Sequence, residues 1–191
     1  MSQQIERPPP RRGPSWLPAA VILLCSAVFG YAVLPQLSQR VSPSSRLVGT
    51  PAPDFSLPVL HGGDTQSRIS LRGLAGNVVV LDFWASWCKP CVAQAGILSE
   101  VATRHASDKV VFVGINTSDQ PDRAQAFAQS HELPYPSVYD TGEVANAYGA
   151  QSLPTLVVID PSGRIAQASV GLVGASEIES AIASAAAQPQ R

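Results

Sequence analysis

The residues with the clearest chemical potential are Cys88 and Cys91, which form a C-x-x-C sequence. Two intervening residues in a helix place the second sulfur about one turn from the first, within reach of a disulfide bond. A thiolate is the nucleophile in disulfide exchange, and the positive end of a helix dipole favours it. If the pair opens a helix, we expect Cys88 to attack a substrate disulfide and Cys91 to resolve the mixed disulfide.

Four neighbouring residues are predicted to support the pair. Asp82 lies in the apolar run that precedes it, and burial would raise the pKa of this carboxyl group toward that of a proton acceptor for the resolving thiol. Lys89 adds a positive charge that can favour the reactive thiolate, and Pro90 completes the two residues between the cysteines. Trp87 is predicted to shape the rim of the site.

A structural zinc site is the main alternative for a cysteine pair. Such a site needs four ligands, and the sequence contains no second C-x-x-C. The histidines His61, His105 and His131 are scattered without the spacing of metal ligands. We therefore predict no metal site, and no cofactor other than a redox-active Cys88–Cys91 disulfide.

Strand and helix patterns alternate from about residue 51 onward and should position the pair. Continuous apolar runs predict buried strands, and apolar residues spaced by three and four predict helices. The alternation predicts an α/β fold in which helices flank a mixed central sheet. The predicted elements are a hairpin over 54–60 and 67–71, strands over 78–83, 110–115, 155–160 and 164–170, and helices over 88–104, 121–131, 143–148 and 176–187.

A membrane anchor is predicted ahead of this domain. Residues 17–34 carry no charge and would form about 27 Å of helix, close to the roughly 30 Å hydrocarbon core of a bilayer. A signal peptide is the alternative. Three arginines precede the run and two follow it, which favours a cytoplasmic N-terminus and a domain in the periplasm or extracytoplasmic space. The predicted organisation is a cytoplasmic tail over 1–15, a single-pass inner-membrane anchor over 16–35, a flexible linker over 36–50, the domain over 51–187 and a tail over 188–191.

The charge balance gives no sign of a nucleic-acid partner. The chain of 191 residues has a formal net charge of -1 and lacks a basic stripe interleaved with aromatic residues. Once the N-terminal segment is set aside, its length suits a single domain. We predict one domain and no binding to nucleic acid.

Two separated segments resemble the thioredoxin superfamily. The stretch DFWASWCKPC over 82–91 is similar to the active-site segment of that family, and YGAQSLPT over 148–155 is similar to its cis-proline loop. The anchor, the opening GTPAPDF and an extra β-α unit between the motifs resemble the membrane-anchored TlpA/ResA/CcmG-like branch. The resemblance spans about residues 50–187. It implies a thioredoxin fold with an N-terminal hairpin extension and a β-α insertion.

The resemblance also implies a substrate site opposite the cysteines. Pro154 would follow a cis peptide bond and would lie opposite Cys88. The backbone at Leu153 would then be free to pair with an extended substrate segment, with Thr155 in the same groove.

Three positions depart from the pattern of this branch. Gln94 and Gly96 stand where ResA-like proteins commonly carry Glu and Pro. Asp82 matches the buried acid of ordinary thioredoxins, where TlpA-like sequences often carry Asn. In that branch the Glu is associated with tuning the cysteine pair and contacting apocytochrome c, and Gln94 does not match it. Asp82 instead favours chemistry closer to that of ordinary thioredoxins than the anchor suggests.

The predicted function is an extracytoplasmic thiol–disulfide oxidoreductase that reduces protein disulfides, with cytochrome c maturation as one candidate pathway. A thiol-reducing transmembrane carrier would supply the electrons. Reduction is favoured because the residues between the cysteines lack the histidine that strong oxidants tend to carry there. The alternatives are a membrane-tethered binding module and a disulfide oxidase or isomerase. A peroxiredoxin fits poorly, because the pattern P-x-x-x-T-x-x-C is absent ahead of Cys88.

Overall fold

The computed structural model describes residues 44–106 and 109–188. The predicted N-terminal tail, the anchor over 16–35 and most of the linker lie outside these ranges. No helix within the described ranges combines the length and the apolar character needed to cross a bilayer.

The described residues form a mixed sheet of seven strands, which confirms the predicted sheet. The strands are β1 (Ser56–His61), β2 (Arg68–Ser70), β3 (Val78–Trp84), β4 (Val110–Thr117), β5 (Ser137–Asp140), β6 (Thr155–Ile159) and β7 (Ile165–Val170). Their spatial order is β2-β1-β5-β4-β3-β6-β7. Strands β3, β4 and β5 are parallel neighbours, whereas the remaining pairs are antiparallel.

Strand β3 lies inside the sheet between β4 and β6, and all seven of its side chains are buried. Such a continuous apolar run suits a strand that is covered on both faces. Four helices pack on the sheet: α1 (Lys89–Arg104), α2 (Pro121–Ser130), α3 (Glu143–Ala147) and α4 (Ala175–Ala186). Buried residues of α1, α2 and α4 form one core layer, and residues of α3 help to form the layer on the other face.

Two features extend the β-α-β-α-β-β-α core as the resemblance implies. Strands β1 and β2 form the N-terminal hairpin. Strand β5 and helix α3 form the β-α insertion between the two motifs. Strand β5, which has only four residues and lies next to parallel β4, was not among the predicted strands. A strand this short offers too few positions for an apolar run to be distinguished from a loop.

The folded domain begins earlier than the predicted boundary at residue 51. Residues 44–50 were assigned to the flexible linker, but a short 3₁₀ turn over Ser44–Leu47 packs on the domain. The Ser44 hydroxyl donates to the carbonyl of Gly149 over 2.8 Å. The amide of Gly49 donates to the carbonyl of Ile165, the first residue of β7, over 2.7 Å. The prediction was wrong here because serines that look suited to a linker instead find backbone partners far along the chain.

Candidate active site

Cys88 and Cys91 are joined by a disulfide at the start of α1. Cys88 is the N-cap residue of the helix, and its Cα atom lies 5.3 Å from that of Cys91. Both side chains are buried. Cys88 thus lies at the positive end of the helix dipole, which would stabilise a thiolate there once the disulfide is reduced.

Lys89 and Pro90 occupy the first two positions of the helix, and both are exposed. A proline is well tolerated there, because the N–H group that it lacks would have no helical partner. Within the described ranges, no group of three or more His, Cys, Asp and Glu side chains is placed to hold a metal ion.

Asp82 lies in the core layer beneath the cysteine helix. Alternate side chains of a strand point to opposite faces of the sheet. Val80 and Trp84, on either side of Asp82 in β3, belong to the same buried cluster as both cysteines. Asp82 is itself buried on that face, so the structure brings the carboxyl group and the disulfide into one layer.

The environment of Asp82 favours its protonated form. Burial raises the pKa of Asp82 from its ordinary value of 3.8 to about 7, and the hydrogen bond from the Tyr135 hydroxyl, over 3.4 Å, opposes this more weakly. The other carboxyl oxygen, Oδ1, is buried without a hydrogen-bond partner in the described part of the chain. Asp82 can therefore take up and release a proton near neutral pH.

Gly114 lies beside Asp82 at a position of β4 that has no room for a side chain. It is the in-register neighbour of Asp82 on β4 and places no side chain beside the carboxyl group. A Cβ at this position would lie 2.8 Å from Nε1 of Trp84 and would also collide with Oγ of Ser137. Glycine is needed here because Trp84 and Ser137 occupy the space that a larger side chain would fill.

Asp82→Asn is expected to stabilise the oxidised protein near pH 8 and to leave its stability almost unchanged near pH 4. The folded state retains a proton that the unfolded chain releases above pH 3.8, so wild-type stability falls as the pH rises to about 7 and then levels off. The rise of the Asp82 pKa from 3.8 to about 7 corresponds to at most roughly 4 kcal/mol, and asparagine removes this loss because it does not ionise.

Urea unfolding of wild type and Asp82→Asn at several pH values measures this effect. Asp64→Asn is the matched control, because Asp64 is exposed in the hairpin loop. Parallel stability curves for wild type and Asp82→Asn across this pH range would contradict the assignment.

The loop that leads to Cys88 is bonded to the loop that follows β4. Because β3 and β4 are parallel, their carboxyl ends meet at one edge of the sheet. The carboxylate of Asp119 accepts hydrogen bonds from the backbone N–H of Ser86 over 2.5 Å and from its hydroxyl over 2.8 Å. The indole of Trp87 donates to the carbonyl of Ser118 over 2.9 Å. These bonds hold the loop that precedes Cys88 against the loop that follows β4.

Asp119 is a site residue that the sequence analysis missed. Burial acts to raise the pKa of Asp119, but hydrogen bonds from Ser86, Asn116 and Gln120 outweigh it and lower the pKa overall. Asp119 is thus a carboxylate at neutral pH. A usable signal was its position just after a buried strand parallel to β3, because site residues gather at the carboxyl ends of parallel strands.

The peptide bond between Leu153 and Pro154 is cis, as predicted. Thr155 pairs in register with Phe83, so Pro154 lies at the end of β3 from which the cysteine loop departs. Leu153 is partly buried and contacts both core layers. Thr155 is fully buried and its hydroxyl donates to the carbonyl of Ser152 over 2.6 Å. It can therefore shape a substrate groove only through its backbone.

A groove of about 570 Å³ extends from Trp87 to Leu153. The Trp87 side chain is 61% exposed, which suits the predicted rim position. The groove is bounded by the end of β4 and the loop after it, by α3 and its N-cap residue, and by the cis-proline loop. Half of the residues that line it are polar, namely Thr117, Ser118, Asn146, Gln151 and Ser152.

The chain matches a known family over most of the described domain. Residues 48–168 match the family model described as the AhpC/TSA family. The chain belongs to the AhpC/TSA family of thioredoxin-like proteins. It is 30% identical over 161 residues to the thiol-disulfide oxidoreductase ResA of Geobacillus kaustophilus, in an alignment that covers 84% of this chain and 89% of that protein.

Solved structures with the same fold carry related names. A thiol:disulfide interchange protein of the thioredoxin family from Chlorobium tepidum matches with a TM-score of 0.64 and 27% identity, covering 71% of this chain and 95% of that one. A secreted thiol-disulfide isomerase from Corynebacterium glutamicum matches with a TM-score of 0.62 and 28% identity, covering 69% of this chain and 82% of that one. The predicted thioredoxin fold and the predicted class, a thiol–disulfide oxidoreductase, are confirmed.

Proposed function

We propose that this protein reduces disulfide bonds of other proteins outside the cytoplasm, with Cys88 as the nucleophile and Cys91 as the resolving thiol. The observation that carries the proposal is the cysteine pair at the N-terminus of α1, in one core layer with a buried carboxyl group of raised pKa. The ResA and interchange-protein relatives support the reaction class.

The reaction starts from the reduced dithiol. The Cys88 thiolate attacks one sulfur of the substrate disulfide, the substrate S–S bond breaks, and the other substrate sulfur leaves as a thiolate. The Cys91 thiolate then attacks the Cys88 sulfur, which releases the second substrate thiol and leaves the Cys88–Cys91 disulfide. The substrate gains two electrons and two protons in total, and the enzyme loses them.

Asp82 is proposed to accept the proton of Cys91 in the second half of this exchange. A buried thiol loses its proton with difficulty, because the charged form is poorly solvated. A carboxyl group with a pKa of about 7 is largely ionised slightly above neutral pH and can act as the base. Its location beneath α1 supports this role, directly or through one water molecule.

The substrate segment is proposed to bind in the groove between Trp87 and Leu153. The exposed indole and the partly buried leucine offer apolar contacts, and polar side chains between them can bind a peptide backbone. The backbone at Leu153 would add the segment as an extra strand. Lys89 and Pro90, exposed at the helix start, would contact the substrate or tune the Cys88 thiolate.

The cellular setting is proposed from the sequence and the relatives. The uncharged run over 17–34 would anchor the chain in the cytoplasmic membrane with the domain on its outer face. One structural relative is named as a secreted protein, which supports an extracytoplasmic domain. A membrane dithiol carrier would return two electrons after each turnover. Apocytochrome c is one substrate class, in keeping with the resemblance to the ResA branch.

Cys91→Ser is expected to trap a mixed disulfide between Cys88 and a protein substrate, because the thiol that resolves this intermediate has been removed. The reduced full-length variant is incubated with insulin, and the adduct is identified by non-reducing electrophoresis and peptide mass mapping. Wild type should form no lasting adduct and should accelerate insulin reduction by dithiothreitol.

The matched control is Cys25→Ser, which changes the one cysteine of the chain outside the C-x-x-C pair and should behave as wild type. The proposal fails if wild type does not accelerate insulin reduction. The assignment of roles fails if Cys88→Ser traps the adduct at Cys91 while Cys91→Ser does not trap it at Cys88.

A further inference from the structure

Gln94 uses both ends of its side-chain amide on one loop. It lies three residues after Cys91 on α1 and is only 1% exposed. Its Oε1 accepts a hydrogen bond from the backbone N–H of Val173 over 2.8 Å, and its Nε2 donates to the carbonyl of the same residue over 3.3 Å. A carboxylate at this position could accept the first bond but could not donate the second.

The loop over 171–174, which connects β7 to α4, is also bonded to the cis-proline. The amide of Gly171 donates to the carbonyl of Pro154 over 2.8 Å. Val173 is buried in the core layer that contains both cysteines. The loop is thus held on one side by the cysteine helix, through Gln94, and on the other side by the cis-proline.

Leu172 lies between these two attachment points, and its side chain faces solvent. Within the described ranges, the two most exposed large apolar side chains are Trp87 at 61% and Leu172 at 56%. Both belong to loops that are bonded to the reactive site. One large exposed apolar side chain therefore lies on each of two loops, one leading into Cys88 and the other bonded to α1 and to the cis-proline.

We propose that Gln94 is a positioning residue for protein substrates, which holds loop 171–174 so that Leu172 contacts an apolar side chain next to the substrate disulfide. This inference rests on the proposed protein-disulfide reduction. The preferred substrates are then proteins whose reactive disulfide is flanked by an apolar residue. In this proposal Gln94 acts through the loop and not directly on the sulfur atoms.

The physical reason is the cost of ordering the loop. Two hydrogen bonds to a buried amide keep the backbone of Val173 in one position before a substrate arrives. Without them the loop samples more conformations, and binding must restrict these again. The loss should weaken the binding of a large substrate that contacts Leu172, whereas a small disulfide that reaches only the cysteines should react as before.

Gln94→Met tests the proposal, because methionine has a similar volume but makes neither hydrogen bond. The expected result is a rise of about five- to ten-fold in KM for insulin, with kcat changed by less than about two-fold. Turnover of the small disulfide dithiobis(nitrobenzoate) should stay within about two-fold of wild type. Gln94→Glu, which retains only the accepting oxygen, should give a smaller rise in KM, and it replaces the methionine variant if that variant does not fold.

Leu172→Ser supplies the decisive comparison through a double-mutant cycle. If Gln94 acts through Leu172, the double variant should have a KM close to that of the single Leu172→Ser variant. Gln125→Met is the control, because Gln125 is exposed on α2. This control substitution should leave the kinetics with insulin and with the small disulfide unchanged.

Three results would overturn the inference while wild type still reduces insulin. These are an unchanged KM in both Gln94 variants, an equal loss of activity toward the small disulfide, and full additivity of the two substitutions. An inactive wild type would instead reject the proposed function itself.

Discussion

Cys88→Ser is expected to lower the rate of insulin reduction at least about 1000-fold, to the level without enzyme. The serine hydroxyl is not ionised at neutral pH and does not attack disulfides, so the first bond to the substrate cannot form. The remaining Cys91 thiol lies inside the first turn of α1 rather than at its N-cap, where it is poorly placed to react with a protein. Turnover with dithiothreitol as the electron donor measures the effect.

The loss of activity can be attributed to the missing thiol only if the Cys88→Ser variant is folded. Thermal unfolding of Cys88→Ser should therefore be compared with that of reduced wild type, since neither protein contains the disulfide. Cys25→Ser should retain full activity. More than about a tenth of wild-type activity in a folded Cys88→Ser variant would show that another group is the nucleophile.

Asp82→Asn is expected to slow the release of the mixed disulfide about 100-fold near pH 7.5, because the base for Cys91 is lost. Formation of the mixed disulfide by Cys88 should change little. Rapid-quench measurement separates the two steps. In wild type the rate of release should rise with pH around the Asp82 pKa of about 7, and this rise should be absent from the variant.

The same substitution should stabilise the protein above neutral pH, so stability and rate should change in opposite directions. A buried carboxyl group that costs folding free energy is expected at a site that uses it as a base. Asp64→Asn, on the surface, should change neither quantity. An unaltered rate of release in a stabilised Asp82→Asn variant would mean that Asp82 does not accept the proton.

Much of this site could be predicted because its parts are local in the sequence. A buried strand, a loop and a helix that starts at a C-x-x-C lie within 78–104, so the placement of Cys88 at the helix start followed from patterns of a few residues. The cis peptide bond before Pro154 was predicted from a second local motif and is confirmed.

The parts that could not be predicted depend on contacts between distant segments. The bond between Asp119 and Ser86 joins two strand ends that are 33 positions apart, and Gln94 meets Val173 across 79 positions. Residue type alone does not reveal such partners, because a polar residue near a strand end or in a helix can equally well face water. The serine-rich stretch before residue 51 looks like a linker for the same reason, because the partner of Ser44 lies 105 positions away.

The direct test of the account is the titration of the Cys88 thiol in reduced Cys91→Ser, followed by the ultraviolet absorbance of the thiolate. A position at the N-terminus of α1 predicts a midpoint at least about one pH unit below the ordinary cysteine value of about 8.5. A midpoint at or above that ordinary value would contradict the assignment of Cys88 as an activated nucleophile.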